Sequence, residues 1–107
     1  MSTEVTTALS LATGVCNAAS SLINVFSSYR QLRRKETIEL KARIEAFKTS
    51  EYMRHSGELI RASVDEIERT YRHIESKNLT GTALKYAMGQ FELLNEKLSD
   101  AIRSYHV

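Results

Sequence analysis

From residue 5 to residue 29 the chain carries no charged side chain, and this stretch limits what the whole can fold into. Apolar residues recur at Val5, Leu9, Ala12, Cys16, Ala19, Ile23 and Phe26, spaced by three and four. A second row runs Leu11, Val15, Ala18, Leu22, Val25, Tyr29, Leu32. Two adjacent rows at this spacing make a helix with a wide apolar face, which has to be covered by something. Beside them runs a third row: Thr3, Thr6, Ser10, Thr13, Asn17, Ser20, Asn24, Ser27 and Gln31, every member polar and uncharged. Solvent faces of soluble helices usually carry Lys and Glu, which favour helix more than Ser, Thr and Asn do. A charge-free polar row therefore points to surroundings where charge is costly and hydrogen bonding useful, such as a helix–helix interface, a membrane or a polar lumen. The plainer reading is a core helix of a bundle with this row half exposed.

After Tyr29 the composition changes abruptly to Arg30-Gln31-Leu32-Arg33-Arg34-Lys35. Residues 30–61 hold nine Lys/Arg against five Glu, whereas residues 62–107 hold six against seven acids. No Gly or Pro interrupts the passage, so the helix is expected to continue through Ile38, Leu40, Ile44 and Phe47 as an outer, solvated element. The apolar phase slips near Glu51 and Arg54, and Ser56-Gly57 follows. A break between residues 49 and 57 is predicted there.

Met53, Gly57, Ile60, Val64, Ile67, Tyr71 and Ile74 form a heptad-like row, of the kind that lines a coiled-coil seam. Asn78-Leu79-Thr80-Gly81-Thr82 reads as a turn. Leu84, Met88, Phe91, Leu94 or Asn95, Leu98, Ile102 and Tyr105 then fall on one face of a last helix. Two helices joined so closely form an antiparallel hairpin. With no proline and four glycines in 107 residues, a sheet protein is disfavoured. The expectation is one all-α domain over residues 1–107. A long N-terminal helix covers 5–48, uncharged to residue 29 and basic beyond it. A helical hairpin covers 57–105, and the two parts either stand separately or pack as a helical bundle.

The sequence carries no phosphate-binding glycine loop, no H-E-x-x-H and no Cys/His set, so no catalytic residue, metal ligand or cofactor is assigned. Glu51 and His55 alone do not make a metal site. His73 reads as a surface residue, and His106 as part of the frayed terminus. Cys16, the single cysteine, lies in an apolar row as a small hydrophobe; the residues Leu11–Cys16 only faintly suggest lipoprotein processing, and the basic leader is missing. A cytoplasmic setting is the default for a chain that cannot form an internal disulfide.

These observations favour a non-enzymatic helical interaction protein that self-associates as a homo-oligomer or binds a partner protein. Its contact row would be Leu9, Ala12, Cys16, Ala19, Ile23 and Phe26, with the polar row Ser10, Thr13, Asn17, Ser20, Asn24 and Ser27 beside it. The first alternative is a membrane-associated oligomer that inserts the uncharged helix, with Arg30, Arg33, Arg34 and Lys35 at anionic lipid or another phosphate. The second is a small regulatory binder of nucleic acid or of an enzyme through the basic middle, where Arg34, Lys41, Lys48 and His55 recur every seven residues. Interleaved Glu36, Glu39 and Glu45 and a net charge of only +2 argue against nucleic acid.

Overall fold

The first helix, α1 (Thr3–Tyr29), starts where Ser2 can cap it. The Ser2 Oγ accepts the Val5 N–H at 3.2 Å, filling one of the free donors of the first turn. The helix ends at Arg30, which turns into the left-handed region at φ 58°, while its N–H donates to the Phe26 carbonyl at 2.7 Å. The guanidinium of Arg33 stacks over the Tyr29 ring at 3.8 Å and closes the reversal. α2 (Arg34–Thr49) then runs back along α1. The expectation of one unbroken helix over 5–48 is thus corrected. Folding back lets Leu40, Ile44 and Phe47 bury themselves. That burial outweighs the roughly 1–2 kcal/mol a non-glycine residue pays for left-handed backbone.

The predicted break after residue 49 is present, as an extended Ser50 followed by a single 3₁₀ turn over Met53–Ser56. Ser50 Oγ accepts the Tyr52 N–H at 3.0 Å, and the buried Ser56 hydroxyl donates to the Met53 carbonyl at 2.6 Å. Gly57 adopts φ 83°, and a Cβ there would lie 2.8 Å from the Tyr105 ring. The Tyr105 hydroxyl donates to the His55 carbonyl at 3.0 Å, tying residue 105 to this turn. Gly57→Ala is therefore expected to lower stability by about 1–3 kcal/mol, read by thermal or urea melting.

The hairpin follows as read from the sequence. α3 (Glu58–Ser76) and α4 (Gly81–Tyr105) are joined through residues 77–80, with Asn78 at φ 50° and Gly81 at φ 57°. Ile60, Val64, Ile67, Tyr71, Leu84, Phe91 and Leu98 are buried, and Ile102 is half-buried against them. Between Leu94 and Asn95, it is Asn95 that faces inward.

The computed structural model describes residues 2–105; the expectation for His106 lies outside them. Its four helices form an up-down-up-down bundle, and the side-chain bridges give the directions. Lys41 meets Glu75 at 3.0 Å while Lys48 meets Glu68 at 2.6 Å, so α2 and α3 are antiparallel. Lys97 reaches Glu66 at 3.4 Å between α4 and α3. Asn95 Nδ2 donates to Ser20 Oγ at 3.0 Å and to the Cys16 carbonyl at 3.3 Å, joining α4 to α1. Tyr71 donates its hydroxyl to Glu75 at 2.8 Å; burial, followed by this carboxylate, pushes the phenol up to about 12.

Candidate interaction surface

The structure places the α1 contact row inside the chain. Leu9, Ala12, Ala19 and Phe26 are buried in the common core, and Cys16 and Ile23 pack against it half-buried. The row offered for contact with a copy, a partner or a membrane is thus largely covered within the chain itself. α2 folds back over one side of α1 and the hairpin covers another, which gives the wide apolar face its cover from within. Burial pushes the Cys16 thiol up, with Ser99 and Arg103 acting weakly the other way. A raised thiol pKa is that of an unreactive sulfur.

The polar row lies on the surface. Ser10, Thr13, Asn17, Asn24 and Ser27 are exposed. Ser20 alone is half-buried, as the acceptor for Asn95. Thr13 donates its hydroxyl back to the Leu9 carbonyl at 2.8 Å. Apart from Ser20 the row faces solvent and makes no side-chain hydrogen bond to another helix among the described residues. By length and composition α1 is apolar enough to cross a membrane, as core helices of soluble proteins also are.

Arg30, Arg33, Arg34 and Lys35 are exposed together at the α1–α2 reversal. The longer basic stripe is not free. Lys41 pairs with Glu75, and Lys48 pairs with Glu68 and, at 3.5 Å, with Asp65. Two of its four members are thus paired with the chain's own acids, which weakens the stripe as a phosphate-tracking surface. Among the described residues no group of three His, Cys, Asp or Glu side chains is placed to hold a metal ion.

Among the described residues Tyr29, Ile38 and Leu59 are exposed singly, and an open apolar surface lies on the outer side of the hairpin. A groove of about 540 Å³ runs between α3 and α4, with Leu79, Ala83, Ala87 and Leu94 on its floor and Arg69 and His73 on its α3 rim. Tyr86 lines it, 71% exposed, and Leu93 lies outside it farther along α4, 59% exposed. Both lie on the side of α4 opposite Leu84, Met88 and Phe91. Gly89 sits between them, and a Cβ added there would meet nothing within 4 Å.

The inward spacing of α4 does not by itself reveal this surface, since Tyr86 and Leu93 lie off that row. The signal was present in two large apolar residues seven apart and off that row, with a glycine in mid-helix between them. Nothing among protein-family models, characterised proteins or solved structures matches the chain, so its geometry carries the functional argument.

Proposed function

We propose that the chain is a non-enzymatic interaction module whose contact surface is the outer α3–α4 face. The observation that carries this is the exposure of Tyr86 in an apolar groove and of Leu93 farther along α4. Large aromatic and aliphatic side chains presented beside a groove are typical anchors of protein contacts. A helix laid in such a groove would bury them together with Ala83, Ala87 and Leu94.

Insertion of α1 into a membrane is the less favoured reading. It would withdraw Ala8, Leu9, Ala12, Val15, Ala18, Ala19, Leu22 and Phe26 from the core. The bundle would lose the helix that touches all the others.

Site-specific photocrosslinking tests the assignment. With a benzophenone side chain in place of Tyr86, crosslinking in the expressing cell is expected to give a discrete protein adduct. The same group in place of the exposed Asn17 on α1 is expected to give none. Adducts at position 17 and not at 86 would overturn the choice of surface.

A further inference from the structure

We infer that this face docks on a second copy of the same chain, with α4 crossing antiparallel over the other α4 about an axis beside Gly89 and Gln90. The inference rests on reading the α3–α4 face as the contact surface, and names its partner. Three features of α4 carry it, and none has a use within the single chain.

Gly89 is the first. Glycine in the interior of an exposed helix weakens that helix relative to alanine. Here its backbone is not strained, and a Cβ would meet open space. No neighbour inside the bundle calls for a glycine at this place. An approaching backbone would, since small residues at a helix crossing let two axes come close.

The charges beside it are the second feature. Glu92 and Glu96 are exposed, four residues apart on one edge of α4, an arrangement of like charges that weakens a lone helix. Both edge the seam facing α1, near Ser20 and Asn24. Lys85 lies seven residues before Glu92, in the same row. None of these three takes part in an ion pair among the described residues.

Register is the third. In an antiparallel pair about Gly89 and Gln90, Tyr86 stands opposite Leu93 of the second copy. Lys85 then stands opposite Leu94 of the second copy, level with the gap between its Glu92 and Glu96. Antiparallel helices bring the same edge of each face to face, so the lysine of each copy meets the two glutamates of the other. The register that joins the apolar residues also neutralises the like-charge pair. On the other edge Tyr86 enters the groove of the second copy beside Gln90 and Leu94.

The size suits a weak dimer. Paired about Gly89 and Gln90, α4 overlaps its copy over residues 81–98, about 27 Å of helix. With a width near the 20 Å minor extent of the bundle, that face offers roughly 540 Å². This is below the roughly 800 Å² per partner of a standard stable interface.

Sedimentation equilibrium on the full chain, up to about 1 mM, tests this. The wild type is expected to dimerise. Lys85→Glu should weaken the dimer at least about tenfold with helicity and melting temperature of the monomer unchanged. The triple variant Lys85→Glu/Glu92→Lys/Glu96→Lys should restore it. Gly89→Leu should also weaken the dimer while leaving the monomer as stable as before or more so. A wild type that stays monomeric overturns the inference. A dimer indifferent to Lys85→Glu, or one the triple variant fails to restore, overturns the antiparallel α4 contact. If position 86 crosslinks to a different polypeptide while the chain stays monomeric, the self-docking fails but the reading of the face stands. If position 86 gives no protein adduct either, that reading fails as well.

Discussion

Ala19→Glu should abolish the folded state. Ala19 has no exposed surface and lies in the core between the elements that cover α1. A glutamate there must either bury an unpaired carboxylate or force the neighbouring helices apart. The effective penalty for one such charge is several kcal/mol, comparable to the roughly 5–15 kcal/mol that holds a domain of this size together. The expected readout is loss of the cooperative thermal transition in circular dichroism. Asn17→Glu, two residues away and exposed, should shift stability by no more than about 0.5 kcal/mol. Equal effects at the two positions would mean that α1 is not packed as described.

Phe91→Ala is the second large effect, expected at about 3–5 kcal/mol. Phe91 is among the largest fully buried side chains, on the inward face of α4. Leu93→Ala serves as its counterpart, since that side chain points outward and is more than half exposed. Truncating it should leave the melting transition nearly unmoved and act on association instead. Urea denaturation of both variants at low protein concentration separates the two roles. A Leu93→Ala variant as unstable as Phe91→Ala would place Leu93 in the core and remove the contact surface.

The hairpin was legible because its inward residues obey one strict spacing over two helices and the turn between them carries Asn78 and Gly81. The reversal at Arg30–Arg33 was not. Chain reversals are usually marked by glycine or proline, and here a left-handed arginine and a cation stacked on Tyr29 do that work. What decides between a continuous helix and a folded-back one is whether Leu40, Ile44 and Phe47 find a surface to bury against. That depends on residues of α1 lying about thirty positions earlier, beyond any local window. The same long-range fact decides the role of α1. Its apolar rows declare that the helix must be covered, and only the packing shows that the chain itself supplies the cover.

Asn95 illustrates a second limit. Spacing alone left Leu94 and Asn95 equally placed, and hydrophobicity favours leucine. The structure turns Asn95 inward because its amide can donate to Ser20 and to the Cys16 carbonyl. These two Nδ2 bonds fix the alignment of α4 on α1, while the Asn95 Oδ1 is buried without a partner among the described residues. This also explains part of the charge-free polar row, since Ser20 is the member of that row that meets another helix. The exposed members, among them Ser10, Asn17 and Asn24, have no comparable contact.

α1 belongs to the core, and the outer α3–α4 face is the surface proposed for partners. Amide hydrogen exchange on the intact chain, with and without anionic lipid vesicles, tests the place of α1 most directly. The amides of residues 12–22 should be among the slowest, matching residues 60–74 and opening only with global unfolding, and vesicles should leave them unchanged. The slowest segments should include both α1 and α3. Fast exchange across residues 12–22 in water, turning slow only when vesicles are added, would contradict the account and make α1 a helix held for the membrane.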